Sequence, residues 1–256
     1  MLNFEFFYAW TKEHLNINLD GYKEKQLQRR IGTIMKNTGA ATLEEYAVKI
    51  QADPIIKKNF LNYITINVTD FFRNREVFDE FEELMVAYLK PRFGALKIWS
   101  AACSTGAEAY SLAMIMDKHR IAQAEKITAT DIDETILAKA KKGVFSSTEI
   151  KNVDDENRKQ YFTEEESVFY LVDQIKTKVA FKKHDLIGDR FGKEYHVIVC
   201  RNVTIYFKNE VKEELYQKFS DALVPGGLFF TGATETIYNP EKYGFIKRAS
   251  FIYEKI

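Results

Sequence analysis

From Lys97 onward the chain alternates short apolar runs with helix-periodic segments, and this alternation restricts the fold more than any other feature. "LKIWSAA" has the character of a buried strand, and "GAEAYSLAMIMDKHR" after it has the length of a helix. "KITATDID" and "ETILAKAKKGVF" repeat the pair, as do "YHVIVCRN" and "KNEVKEELYQKFSDALVPGG", the last closed by Pro225, Gly226 and Gly227. "LFFTGA" and "GFIKRASFIYEK" supply terminal strands. Strands separated by helices pair in parallel through crossovers, which predicts a doubly wound, mostly parallel sheet with helices on both faces, a Rossmann-like α/β fold. One segment departs from the pattern: "SVFYLVDQIKTKVAFKKHDL" alternates with period two about Asp173–Gln174, which predicts an antiparallel β-subdomain inserted at about residues 167–183.

The chain before this region shows helical periodicity and no strand alternation. Phe4, Phe7, Tyr8 and Leu15 form one apolar stripe, Leu27, Ile31 and Ile34 a second, and Leu43, Tyr46, Ala47 and Ile50 a third. "TLEE" at 42–45 is a capping box that starts the third helix. We therefore expect a small helical bundle over 1–65, a linker and connecting helix over 66–90, and the α/β domain over 91–256.

Thirty-seven basic and thirty-seven acidic side chains cancel, so no overall field draws the protein to nucleic acid and electrostatic recognition must be local. The two cysteines, Cys103 and Cys200, stand in apolar context without a C-x-x-C pattern, which points to a reducing, cytoplasmic setting without disulfides. Four scattered histidines offer no metal-ligand spacing, so no metal is expected. The aromatic start "MLNFEFFYAW" lacks the basic segment and cleavage pattern of a signal peptide. No apolar run approaches the roughly 20 residues of a membrane span. A monomer that binds neither nucleic acid nor the bilayer is expected.

In a doubly wound sheet, ligands lie beyond the carboxyl ends of the strands. Three such ends carry polar residues. The first strand leaves through Ala102, Cys103, Ser104, Thr105 and Gly106, where small side chains let helix-start amides approach a ligand; a tight turn without a ligand fits the single glycine equally well. The second ends at Asp131, 25 residues beyond Gly106, near the spacing at which an acid accepts ribose hydroxyls. Helix capping is the competing role, and Asp133 is there to fill it. The third runs through Arg201 and Asn202 to Tyr206. A dinucleotide needs the second glycine of G-x-G-x-x-G so that the backbone can reach its phosphates, and this turn lacks it. A nucleoside without phosphates has no such need. S-Adenosylmethionine is such a ligand, with its ribose at Asp131 and its cationic end over the small-residue turn. Glu108 can meet its ammonium group, or act only on the helix dipole.

Taken in order, "NVTDFFRN", "SAACSTGAEAYSLAM", "ATDID", "RNVTIYF" and "PGGLFFTGATET" make the chain resemble the chemotaxis receptor methyltransferases, the CheR family, over nearly its whole length. The resemblance implies a class I methyltransferase domain behind a helical N-terminal domain. It also implies transfer of a methyl group from S-adenosylmethionine to glutamate side chains on the cytoplasmic helices of transmembrane chemoreceptors, leaving glutamyl methyl esters and S-adenosylhomocysteine. By motif position it implies cofactor contacts from Asn67, Thr69 and Arg73 in the linker, Gly106 and Glu108 at the turn, and Asp131 at the ribose. Asp185 and Leu186 are implied near adenine, and Arg201 and Asn202 after the third strand. Two positions depart from the family pattern: it often has Asn where Asp185 stands, and a smaller residue than Cys103.

A glutamate is already ionised at neutral pH, so no general base is required and catalysis should be positioning. Arg73 and Tyr206 are the candidates for steering the carboxylate. Docking is expected on "GYKEKQLQRRIGTIMKN", where Lys25, Arg29 and Lys36 share the face opposite Leu27, Ile31 and Ile34, with Lys23 and Arg30 nearer the buried edge. A solvated helix face is the competing reading. Some family members hold a receptor's C-terminal pentapeptide on the β-subdomain through a glycine-containing loop extension. Here "YFTEEESVFYLV" has no glycine and carries Glu164, Glu165 and Glu166, so pentapeptide-independent methylation is expected. The alternatives are a methyltransferase acting on RNA or a small molecule, and an S-adenosylmethionine sensor without turnover. Neutral net charge counts against RNA, and the undegenerate linker and loops count against the sensor.

Overall fold

The computed structural model describes residues 2–65 and 67–256. Four helices, α1 (Phe4–Leu15), α2 (Glu24–Asn37), α3 (Leu43–Ala52) and α4 (Pro54–Thr65), build an N-terminal bundle. Its core is aromatic: Phe7 stacks on Tyr46 at 5.8 Å and meets Phe60 edge-on at 5.6 Å, with Leu27, Ile31, Leu43 and Ile50 packed around them. Phe4 and Leu15 lie at its margin, while Trp10 and Thr11 turn inward. At the start of α3 the Thr42 hydroxyl accepts from the Glu45 amide at 3.1 Å. The Glu45 carboxylate reaches back to the Ala41 amide at 2.8 Å, one residue earlier than in a standard capping box.

After the linker, α5 (Arg75–Leu84) continues through a π-helical turn (Met85–Leu89) and a last α-turn (Lys90–Phe93). The principal elements that follow are β1 (Ile98–Ala101), α6 (Ala107–Lys118), β2 (Ile127–Asp131), α7 (Glu134–Lys142) and β3 (Val144–Ser146). Next come α8 (Asp155–Tyr161), β4 (Phe162–Glu165), β5 (Val168–Leu171), β6 (Val179–Lys183) and β7 (Tyr195–Cys200). The chain closes with α9 (Asn209–Ala222), β8 (Leu223–Thr231), β9 (Phe245–Ala249) and β10 (Ile252–Lys255).

Seven strands form the main sheet in the order β9-β10-β8-β7-β1-β2-β6. Strands β8, β7, β1, β2 and β6 pair in parallel, and β10 runs antiparallel between β8 and β9. The parallel centre explains the unbroken apolar runs, because both faces are covered. Ile98 of β1 packs into a core shared with α5 and α6, whereas its neighbour Trp99 enters a second core with α9. Helix α6 is buried from Ala107 to Met116, as a helix apolar on nearly all sides must be. The order places β1 at the switch point, with β2 on one side and β7 on the other.

An antiparallel β-subdomain is inserted, but it spans 144–171 and is not a hairpin over 167–183. β5 pairs antiparallel with β3 and β4 in a separate three-stranded sheet, whereas β6 joins the main sheet parallel to β2. The tight turn sits earlier, at Glu166 and Ser167, whose φ angles of 48° and 65° are those of a two-residue hairpin with paired left-handed positions. Asp173–Lys176, around which the alternation is centred, is a helical turn. Period-two alternation marks a half-buried strand but does not name its partner, so two strands of different sheets read as one hairpin.

Candidate active site

The carboxyl ends of β1, β2 and β7 open on a cleft with two joined halves. One has an apolar wall of Tyr22, Ile132, Leu186, Val203 and Phe207, with Asp131 and Asp185 beside it. The other is polar, with Asn67, Thr69, Arg73, Glu108, Arg201 and Asn202 in its wall. Asp131, Val203 and Tyr206 line both halves. Tyr206 also lines a third, shallow recess, together with Tyr22, Lys23, Gln26, Leu27, Arg30 and Ile64 of the helical domain.

Asp131 ends β2 buried against the turn that follows β1. Its Oδ2 accepts from the Ser104 amide at 2.9 Å and its Oδ1 from the Asp133 amide at 3.1 Å. Burial outweighs these bonds and pushes its pKa up to about 6. Each oxygen has a lone pair left, so two vicinal hydroxyls can be received together. Asp133 takes the capping role: its Oδ1 accepts from the Thr135 and Ile136 amides, and its Oδ2 from Asn67 Nδ2 at 2.8 Å. Asn67 thereby ties the linker to the start of α7.

The turn after β1 passes through left-handed backbone at Ala102, Ser104 and Gly106. Its amides serve the protein itself: Cys103 donates to the Thr130 carbonyl at 2.8 Å, Ser104 to Asp131, and Gly106 to the Cys103 carbonyl at 2.9 Å. These three amides are thus taken up in seating Asp131 and closing the turn, so they do not face a ligand as expected. Ala102 and Ser104 line the cleft, and Gly106 does not. A Cβ at Gly106 would stand 3.0 Å from the Phe181 ring and 3.1 Å from the Ala140 methyl, at a φ of 85°, so the glycine serves helix–sheet packing.

Arg201 and Glu108 line the polar half as a buried charge pair. The Arg201 guanidinium packs against the rings of both Phe78 (5.0 Å) and Phe230 (4.7 Å), which touch each other, and its Nη1 is 3.7 Å from Glu108 Oε2. Its Nη2 donates to the Arg73 carbonyl at 2.7 Å and to Asn74 Oδ1 at 3.1 Å. Ser100 Oγ donates to Glu108 Oε1 at 2.8 Å. Burial raises the pKa of Glu108 against the pull of Arg201, and lowers that of Arg201. Arg201 thus anchors the linker beneath Arg73, which sits between left-handed Phe72 and Asn74 and donates from Nη1 to the Val68 carbonyl at 3.0 Å.

On the apolar side, Asp185 Oδ1 accepts from the Ile187 amide at 2.9 Å, which leaves Oδ2 as an acceptor for an exocyclic amine. Glu108 and Asp131 bring carboxylates to the polar half beside Arg73 and Arg201, and Asp185 brings one to the apolar half. A sulfonium and an ammonium would meet opposite charge at Glu108 and Asp131. The residues present therefore fit S-adenosylmethionine. Among the described residues, no group of His, Cys, Asp and Glu is arranged to hold a metal ion.

On α2, Lys25, Arg29 and Lys36 are exposed, and none of them lines the cleft. Arg30 is half-buried, its guanidinium 4.7 Å over the Tyr63 ring. Lys23, expected near the buried edge, is exposed instead. It precedes the helix, where a bridge between Tyr22 and Phe207 fixes the backbone, and its amide donates to the Tyr206 carbonyl at 2.9 Å. Two residues of the site went unread in the sequence. Tyr22 lies in a loop with no motif, and Glu235, which braces the loop after β7, follows β8 in "TGATET", where the carboxyl-end rule that singles out Asp131 applies equally.

A parallel sheet with this switch point, an acidic residue ending its second strand and a cleft that brings carboxylates to those strand ends, beyond a turn without the pyrophosphate glycines, are the marks of an S-adenosylmethionine-dependent methyltransferase of class I. The model of the CheR methyltransferase SAM-binding domain matches residues 67–252, and that of the CheR all-alpha domain matches residues 2–65. The chain belongs to the CheR methyltransferase family. Chemotaxis protein methyltransferases of Listeria innocua and Listeria monocytogenes are each 36% identical to it over 251 residues, covering 98% of this chain and 96% of theirs. That of Escherichia coli is 32% identical over 202 residues, covering 76% of this chain and 69% of its own. No helix among the described residues is long and apolar enough to cross a membrane.

Proposed function

We propose that the protein methylates glutamate side chains on the cytoplasmic helices of chemoreceptors, as a cytoplasmic monomer and without a pentapeptide tether. One observation carries this reading: Tyr206 lines the apolar half of the cleft, the polar half, and the recess that opens beside Lys23 and Arg30. A methyl donor seated by Asp131 thus lies one side chain away from the basic edge of α2, the local charge that a neutral protein needs to attract a glutamate-rich helix. When bound, S-adenosylmethionine supplies an electrophilic methyl group on a positively charged sulfur.

Asp131 holds the ribose, and Asp185 with Leu186 receives the adenine. Arg73 and Tyr206 steer the incoming carboxylate. That carboxylate is ionised at neutral pH, so no side chain need remove a proton, and the two residues act by orientation. Arg73 is held back by its bond to the Val68 carbonyl, which supports a steering contact rather than a tight ion pair that would blunt the nucleophile. Glu164, Glu165 and Glu166 are exposed on β4 and its turn, which supports rejection of an acidic peptide at the small sheet.

The test is transfer of labelled methyl from S-adenosylmethionine to receptor-containing membranes, with release of the label as methanol in base. Base-stable label, or label in RNA, would overturn the proposal.

A further inference from the structure

The loop from Asn202 to Phe207 carries Asn202, Val203 and Tyr206 into the cleft, yet its only regular structure is one 3-10 turn (Thr204–Tyr206). Its far end is tied to the helical domain by the Tyr22–Phe207 bridge and by the Lys23 amide on the Tyr206 carbonyl, and its first half is held by a single carboxylate. Glu235, 4% exposed in the loop after β8, accepts at Oε1 from the amides of Val203 (3.1 Å), Thr204 (2.7 Å) and Ile205 (3.3 Å) and from the Thr204 hydroxyl (2.7 Å). Its Oε2 accepts from the amides of Asn202 and Gly232, the latter at 2.9 Å. A carboxylate offers about four lone-pair sites, so these donors saturate it and leave nothing for a ligand. Gly232 belongs to the same device, since a Cβ there would lie 2.8 Å from the Asn202 nitrogen.

The converging amides form an anion-binding nest whose anion is supplied by the chain itself. Asn202 stands at a φ of 60°, a conformation that persists in a non-glycine residue only when its surroundings impose it. A glutamine could not substitute: one of its two terminal atoms is a donor and would face N–H groups. We propose that Glu235 is a positioning residue for methyl transfer, fixing the 202–206 loop so that Tyr206 stands between the cofactor and acceptor sides of the cleft. The inference rests on the reading that Tyr206 steers the acceptor carboxylate. Asn202 is the one implied cofactor contact in this loop, whereas Asp131 and Asp185 belong to other loops, so a slack 202–206 loop should slow turnover more than it weakens cofactor binding.

The experiment compares Glu235→Gln with wild type for kcat, KM for receptor, and Kd for S-adenosylhomocysteine. Glu235→Gln should lose roughly 10- to 100-fold in kcat, the scale of a small misplacement, with Kd changed by no more than about threefold. Adding Tyr206→Phe to Glu235→Gln should then cost little further, because a displaced tyrosine has no contact left to lose. Thr204→Val removes one donor without placing an amide among N–H groups. It should shift kcat in the same direction by less, and should lose hydrogen-exchange protection at residues 202–205 but not in β7 or β8. Full kcat in Glu235→Gln, additive effects in the double variant, or unchanged exchange in Thr204→Val would overturn the proposal. Exchange is measured without substrate, so a wild type that fails on receptor glutamates would sink the substrate reading and leave the brace to be judged by exchange alone.

Discussion

The backbone amide of Lys23 donates to the carbonyl of Tyr206 at 2.9 Å, and the Lys208 amide returns a bond to the Gly21 carbonyl at 2.8 Å. Through this pair the helical domain touches the loop that lines the cleft, and the start of α2 is set against Tyr206. The basic helix and the methyl-transfer centre are thus held in one frame, so each can be perturbed separately and read against the other.

Asp131→Ala should weaken S-adenosylhomocysteine binding by roughly 1.5–3 kcal/mol, the cost of removing a charged acceptor from two hydroxyls. The wild type should also show a pH dependence. Its free Asp131 has a pKa raised to about 6, so ionising it costs the free fold stability as pH rises through that value. Ribose hydroxyls favour the ionised form. Binding should therefore tighten as pH rises through about 6 and release a proton near it, which calorimetry in buffers of different ionisation enthalpy detects. An affinity indifferent to pH between 5 and 7 would remove Asp131 from the ribose.

Arg73→Ala and Tyr206→Phe should each lose more in turnover than in cofactor affinity, because both are assigned to the acceptor. Initial rates at saturating receptor and cofactor measure this. A variant that keeps its rate identifies that residue as structural.

Arg201→Met should destabilise the protein by about 3–5 kcal/mol, the usual cost of leaving one member of a buried charge pair alone. Thermal unfolding is the readout. Adding Glu108→Gln removes the stranded carboxylate and should restore part of the loss; no recovery would mean that the two do not act as a pair.

Charge reversal at Arg29 and Lys36 should raise KM for receptor, with cofactor affinity unchanged. The effect should be larger at low salt, since exposed charges are screened beyond about 8 Å at physiological ionic strength. Normal methylation by the double variant at low salt would make this a merely solvated face and place docking elsewhere.

An acidic, aromatic pentapeptide should not bind the protein measurably. Calorimetric titration settles the matter, and micromolar affinity would show that the three-stranded sheet is a tether site despite its glutamates.

Local pattern by itself determined much of this protein. The bundle, the alternating strands and helices and the Asp131 corner are written in runs of a dozen residues, because periodicity and capping are short-range properties. Partners at long sequence distance are not written that way. The 168–171 and 179–183 strands have the same alternation, and only pairing with β3 and β4 or with β2 separates them. Arg201 reads as a cofactor contact in sequence, and the fold keeps it in the cleft wall while adding bonds to the Arg73 carbonyl and contacts with two phenylalanine rings that no local pattern announces. Gly106 reads as part of a ligand loop and proves to be a packing residue, because Phe181 arrives from the neighbouring strand. Glu235 lies just past the carboxyl end of a strand, but apart from the Gly232 amide its donors lie some thirty residues away across the sheet, so what it holds is not written locally. The sequence determined which chemical groups end each strand; which of them face a ligand and which hold the others was decided by tertiary packing, since a buried polar group must find its partner wherever the fold brings one.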